Sequence, residues 1–86
     1  MKATKEIAQH AEGIIKIIKL KGEVVEDETL NDLIKQAGDI SNFDTLVVEI
    51  ASPGGSVSEG LSIMIWLEHL SKHGKKIVTV VTANAY

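Results

Sequence analysis

The chain of 86 residues has no cysteine, a single proline and only three aromatic residues. Without cysteine it can form neither disulfides nor thiolate metal sites, so the redox compartment stays undetermined. Because aromatic residues are scarce, the core must be built from Ile, Leu and Val, as in buried parallel strands. The net charge is −3 and the lysines are spread along the chain. This argues against nucleic acid as a partner, since such binding needs a basic patch or stripe.

No apolar run approaches membrane-spanning length, and no segment has the pattern of a signal peptide. The nearest candidate, residues 14–20, is interrupted by Lys16 and Lys19. We therefore expect a cytoplasmic protein with no membrane partner. The length allows one small domain, and 44% hydrophobic with 24% charged residues is typical of globular proteins.

Residues 1–13 are mostly polar and are interpreted as an N-terminal arm that precedes a domain formed by residues 14–86. Glu23–Glu28 is expected to be a solvated acidic connector, and Asp39–Asp44 a polar loop. Runs rich in β-branched residues predict three strands, the first with a bulge or an edge position. These strands are expected at residues 14–20, 46–50 and 77–82.

Apolar residues at helical spacing predict a helix after each of the first two strands. The first helix is expected to begin at an N-cap on Thr29 and to end at a left-handed C-cap on Gly38. The second is expected to begin with Ser58 as its N-cap and to end near Gly74. It is apolar on so many sides that we expect it to be covered on more than one of them. The alternation predicts an α/β fold, a βαβαβ unit with a parallel sheet.

A turn rich in glycine, Ser52–Val57, joins the second strand to the second helix. Pro53 has no N–H group, and the pair Gly54–Gly55 can adopt backbone conformations that are closed to other residues. Such freedom is used where the main chain passes close to a ligand or directs its N–H groups outward. We expect this loop to offer N–H groups to a substrate carbonyl.

The hexapeptide Ser52–Val57, followed by Glu59–Ile63 at the start of a helix, resembles the Clp protease proteolytic subunit (ClpP) and related phage head-maturation proteases. The resemblance implies part of a ClpP/crotonase-type fold and a serine endopeptidase that degrades unfolded polypeptides without a cofactor. It also implies a homo-oligomeric ring and a separate AAA+ ATPase partner. By the same resemblance Gly55 donates its backbone N–H to the oxyanion, and the substrate-binding residues are Gly54, Gly55, Ser56 and Val57, the last two acting as an added strand.

The chain departs from this family in its catalytic triad. By the family's pattern the nucleophilic serine would be the residue after Tyr86, and the histidine and aspartate would follow it. None of His10, His69 and His73 matches the histidine's place. We therefore predict the oxyanion side of a peptidase site without catalysis by these 86 residues. The alternative is a catalytically silent assembly or interaction module of the same fold.

Other interpretations of the same residues are weaker. Residues 55–62 fit a phosphate-binding pattern, but Leu61 stands where lysine is needed and Glu59 would repel the phosphate. His69 and His73 have a spacing that can chelate a metal ion, yet we expect two solvated histidines and no metal site. The related acyl-CoA hydratase-like fold is disfavoured because the Ser-Pro-Gly-Gly turn suits peptides better.

Overall fold

The computed structural model describes residues 13–82, and within them three strands alternate with two α-helices. The predicted α/β class and the order of elements are confirmed. The predicted arm, except for Gly13, and the segment after Thr82 lie outside the described residues. The elements are β1 (Ile15–Lys21), α1 (Thr29–Ala37), β2 (Thr45–Ala51), α2 (Val57–Lys72) and β3 (Lys76–Val81).

The three strands form one parallel sheet in the order β1-β2-β3, with β2 in the centre. Ile18 of β1 lies beside Val48 of β2, which in turn lies beside Thr79 of β3. The pairing of β1 with β2 is continuous from Ile15 to Lys21. Among residues 13–82 β1 therefore has an edge position and no bulge, one of the two possibilities that the sequence left open.

A single core cluster joins both helices to the sheet. Right-handed crossovers that advance in one direction along a sheet place their helices on the same face, and the shared cluster agrees with this. Leu33 and Leu70 are each 1% exposed, and burying a leucine fully is worth about 1.5–3 kcal/mol. The buried members of the cluster are Ile18, Leu20, Leu33, Ala37, Phe43, Leu46, Val48, Ile63 and Leu70.

The ends of α1 differ in part from their prediction. Gly38 follows the helix with φ of 68° and donates its N–H to the Ile34 carbonyl, but its ψ of −147° lies outside the left-handed helical region. Thr29 is the first helical residue and not the N-cap, which is Glu28 and makes no side-chain cap. The Thr29 hydroxyl instead accepts the N–H of Val25 at 2.7 Å.

The segment between α1 and β2, predicted as a polar loop, contains a 3-10 turn at Ile40–Asn42 and a buried Phe43. Asp39 accepts hydrogen bonds from the Ser41 N–H at 2.9 Å and the Ser41 hydroxyl at 2.8 Å. The bond from the Ser41 backbone N–H is the main reason why the pKa of Asp39 is lowered. Lys75 donates to the Phe43 carbonyl at 2.7 Å and thereby ties this segment to the start of β3.

Helix α2 has two contrasting sides. Ile63 and Leu70 are buried against the sheet, and Trp66 is half-buried against the same core. On the other side Leu61, Met64 and Ile65 are 58%, 67% and 67% exposed. The described residues thus cover only one side of α2, where the sequence predicted more than one.

Candidate functional site: the Pro-Gly-Gly loop

The loop between β2 and α2 adopts the unusual backbone that its glycines permit. Gly54 and Gly55 have φ values of 115° and 137°, a region that residues with side chains rarely occupy. The Gly54 N–H donates to the Ser52 hydroxyl at 3.1 Å, which closes a short turn around Pro53. The predicted strand–turn–helix setting of this loop is therefore observed.

Val24, in the connector after β1, holds the loop from one side. Its N–H donates to the Gly54 carbonyl at 2.8 Å, and its carbonyl accepts the Ser56 N–H at 2.8 Å. These two bonds form a parallel bridge between Val24 and Gly55. The bridge extends the pairing of β1 with β2 beyond the strand ends and fixes both peptide planes that flank Gly55.

The direction of the Gly55 backbone groups follows from the planarity of these two peptides. In a trans peptide the C=O and the next N–H point in opposite directions, and no described peptide bond is cis. Because the Gly54 carbonyl points at Val24, the Gly55 N–H points away from it. Because the Ser56 N–H points at Val24, the Gly55 carbonyl also points away. Gly55 is exposed, and no residue between 13 and 82 accepts its N–H.

Glycine is required at position 55 by a close approach as well as by φ. A Cβ atom there would overlap the Val24 carbonyl oxygen and lie 2.7 Å from the Val24 nitrogen. At Gly54, by contrast, a Cβ would meet no atom within 4 Å. The second glycine of the pair is thus the one whose missing side chain lets the connector approach.

Ser56 and Val57 lie where the loop becomes helix. Ser56 is the N-cap of α2, since its hydroxyl accepts the Glu59 N–H at 3.2 Å, so the predicted cap on Ser58 is wrong. The Ser56 N–H is bound to Val24, and its carbonyl accepts from Gly60 at 3.0 Å. Val57 is the first helical residue and its side chain is 78% exposed. The backbone groups free for an extended peptide are therefore those of Gly55 and not those of Ser56.

Glu59 has a role that the sequence reasoning missed. It is only 7% exposed, and its carboxylate accepts the N–H of Leu30 at 2.7 Å and that of Asp27 at 3.2 Å. The carboxylate therefore caps the N-terminus of α1, where unpaired N–H groups and the helix dipole favour negative charge. The spacing of Ser56 and Glu59 is that of a capping box, a local signal that identifies Ser56 as the cap. No local signal shows that the Glu59 carboxylate reaches α1.

The acidic connector, predicted to be merely solvated, is part of the site. Glu26 accepts a hydrogen bond from the Ser58 hydroxyl at 3.1 Å. Together with the bonds from Val24 and to Glu59, this contact fastens the connector to the loop and to the first turn of α2. We refer to residues 22–28 as the connector clamp.

An apolar cavity of about 540 Å³ lies between α2 and the sheet. Val24 and Gly60, which flank the loop, form part of its lining, so the cavity is adjacent to the site. Its other apolar walls come from both α2 and the strands, among them Ile50, Ile63, Leu67 and Ile77.

The other residues that the sequence singled out are placed as follows. Leu61, at the lysine position of the phosphate-binding pattern, is exposed on α2. The Glu59 carboxylate accepts the N–H of Leu30 in α1. His69 and His73 are brought together, with ring centroids 4.2 Å apart, whereas His10 lies outside the described residues. Residues 13–82 contain no group of three or more His, Cys, Asp or Glu side chains placed to hold a metal ion.

Comparison with protein-family models and with curated proteins gives no match for this chain. Among residues 13–82, no helix is both long and apolar enough to cross a membrane. Residues 13–82 form a small α/β domain with a three-stranded parallel sheet and two helices.

Proposed function

We propose that this chain is the N-terminal part of a ClpP-like serine endopeptidase that degrades unfolded polypeptides or peptides. The observation that carries the proposal is the Gly55 N–H, which points outward from a loop that Val24 fixes on the opposite side. In this role the N–H donates a hydrogen bond to the oxyanion that forms when a serine attacks a peptide carbonyl.

The physical requirement for such a donor is that it be oriented before the reaction. A donor held by its surroundings need not reorganise as charge develops, and removal of one typically lowers kcat by ~10²–10³. The two bonds from Val24 fix the planes on both sides of Gly55. The N-terminus of α2 begins two residues later, and the positive end of its dipole favours negative charge at the same place.

Substrate binding is proposed to use Gly55 in both directions. Its N–H and carbonyl both face away from Val24, as those of an edge residue do in a strand. Bonds to main-chain groups alone recognise a polypeptide whatever its sequence, which suits an unselective peptidase. Gly54 provides the turn, while Ser56 and Val57 border the site. The cavity next to Val24 is suited to an apolar substrate side chain.

The remaining features of the proposal come from the resemblance. They are a ClpP/crotonase-type fold for the complete protein, a homo-oligomeric ring, a separate AAA+ ATPase that delivers unfolded chains, and no cofactor. A cytoplasmic location is proposed from the sequence pattern alone. The nucleophile is proposed to be a serine directly after Tyr86. The exposed apolar residues Leu61, Met64 and Ile65 on α2 offer a surface for subunit contacts.

The same exposed surface favours a second candidate, a catalytically silent assembly module of this fold. Treating the intact protein with a serine-directed fluorophosphonate separates the two. A peptidase should be labelled on one serine, and peptide mapping should place it directly after Tyr86. A folded, oligomeric protein that takes no label would support the silent module instead.

The role of Gly55 is tested in the full-length protein by a backbone ester, in which glycolic acid replaces Gly55 and the N–H becomes an oxygen. We expect kcat for a peptide substrate to fall by ~10²–10³. Replacing Gly54 in the same way is the matched control, because the Gly54 N–H is bound to Ser52 inside the loop. Equal turnover of the Gly55 ester and the unmodified protein would refute the oxyanion role. An ester is preferred to the variant Gly55→Pro, because proline would remove the N–H but would also change the φ of 137° at this position.

A further inference from the structure

Two histidines lie together at the end of α2 farthest from the loop. His69 lies in the last turn of α2 and His73, four residues later, is its C-cap, so their side chains are neighbours at the end of the helix. Both are exposed, and their ring centroids lie 4.2 Å apart at an angle of 46°. Along the helix axis, His69 and His73 are about 18 and 24 Å from Val57 at the loop end of α2. The chemistry of the pair is independent of the function proposed above.

The hydrogen bonding of His73 suits a metal ligand. Its Nδ1 lies 2.9 Å from the His69 carbonyl oxygen, which can only accept, so Nδ1 carries the proton in this bond. The lone pair is then on Nε2. Histidines that bind metal ions nearly always donate their other ring N–H to a carbonyl or carboxylate, which fixes the tautomer and the orientation of the ring.

The electrostatics of the helix end also favour a cation. The last turn of a helix lies at the negative end of the helix dipole, which favours a positive charge there. Lys72, the lysine in this turn, forms an ion pair with Glu68 at 3.3 Å, which offsets its repulsion of a metal ion. Imidazole nitrogens suit Zn²⁺, Cu²⁺ and Ni²⁺ rather than Ca²⁺ or Mg²⁺.

Against the expectation from the sequence of two solvated histidines, we propose that His69 and His73 together chelate a divalent transition metal ion at the C-terminal end of α2. The two imidazole nitrogens occupy two coordination positions, and water fills the others. Because the pair is on the surface, the site is open and can accept a further ligand from another molecule. Affinity follows the usual order for nitrogen ligands, with Cu²⁺ bound more tightly than Ni²⁺ or Zn²⁺.

The test uses the whole chain and three single variants, His69→Gln, His73→Gln and the matched control His10→Gln. Titration with Ni²⁺, followed by calorimetry, should show one ion per chain for the wild type and for His10→Gln with equal Kd. Each of the other two variants should bind at least ~10-fold more weakly. The electron paramagnetic resonance spectrum of bound Cu²⁺ should show coupling to two nitrogens in the wild type and to one in either variant.

Thermal unfolding gives an independent readout, because a ligand that binds only the folded state stabilises it. At a Ni²⁺ concentration of about 100 times Kd, the ratio of folded to unfolded chain should rise about a hundredfold, and this gain should disappear in His69→Gln. Loss of Ni²⁺ binding in His10→Gln with retention in His69→Gln would overturn the proposal. So would a wild type that binds neither Ni²⁺ nor Cu²⁺.

Discussion

Replacing Gly55 by alanine should destabilise the domain far more than the same change at Gly54. Both residues have φ in the region that costs a residue with a side chain about 1–3 kcal/mol, so this cost is common to the two variants. Only at position 55 does the added Cβ collide with backbone, namely the carbonyl oxygen and nitrogen of Val24. Backbone atoms cannot move aside as the end of a flexible side chain can.

The extra cost at position 55 can be worked out from the bonds that must break. To relieve the collision Val24 has to retreat, which removes its bonds to Gly54 and Ser56, each 2.8 Å long. A hydrogen bond contributes about 0.5–1.5 kcal/mol net, so Gly55→Ala should lose about 1–3 kcal/mol more than Gly54→Ala. For a domain of this size that difference lowers the urea midpoint by about 1 M or more.

The assay is urea unfolding followed by circular dichroism and by the fluorescence of Trp66, with hydrogen exchange of the backbone amides alongside. In the wild type the Ser56 N–H should be protected and the Gly55 N–H should exchange rapidly, because only the former is bound to Val24. Protection of Ser56 should be lost in Gly55→Ala and kept in Gly54→Ala. Equal midpoints for the two variants, or a protected Gly55 amide in the wild type, would refute the geometry on which the site depends.

Three further predictions concern other parts of the fold. Glu59→Ala should cost about 1–3 kcal/mol, because it leaves the part-buried N–H of Leu30 without its acceptor. Denaturant unfolding measures this, and a loss below ~0.5 kcal/mol would contradict the capping role. Asp39 has a lowered pKa in the folded state, so its contribution to stability is present above its ordinary pKa and is lost as the pH falls through the lowered value. In Asp39→Asn the free energy of unfolding, measured against pH, should therefore fall less steeply at acid pH than in the wild type. Ile65→Gln on the exposed side of α2 should change stability by less than about 0.5 kcal/mol, whereas Leu70→Ala should cost about 2–5 kcal/mol. Thermal unfolding measures both, and a larger loss for Ile65→Gln than for Leu70→Ala would show that the buried face of α2 is wrongly assigned.

The strands and helices could be predicted because their signals are local. Each predicted strand agrees with the observed one to within one residue at either end, since β-branched density is a property of the run itself. The stripe of α1, with Leu33 and Ala37 buried, likewise follows from spacing along one helix. The start of α2 is predicted two residues late because Ser56 and Ser58 are both good cap residues. The capping-box spacing of Ser56 and Glu59 is the local signal that favours Ser56, whose hydroxyl accepts the Glu59 N–H.

The contacts that shape the candidate site join residues far apart in sequence, and no local pattern contains them. Glu59 reaches Leu30 across 29 positions, and Val24 pairs with Gly55 although neither lies in a named strand. The acidic connector was predicted to be solvated because its composition indicates only that most of its side chains are polar. Its main-chain groups are what fasten the loop, and every residue has such groups whatever its side chain.

The glycines of the Pro-Gly-Gly turn do not by themselves determine where the Gly55 N–H points. The glycines make an outward N–H possible, but they would permit many other orientations equally well, because glycine is the least restricted residue. The orientation is chosen by Val24, whose two bonds fix the peptides on either side of Gly55. Val24 is in turn held by a connector that Glu59 and Ser58 fasten to the first turn of α2. A turn of the same sequence without a strand extension beside it would therefore lack a fixed donor, and the function proposed for this loop depends as much on the connector clamp as on the glycines.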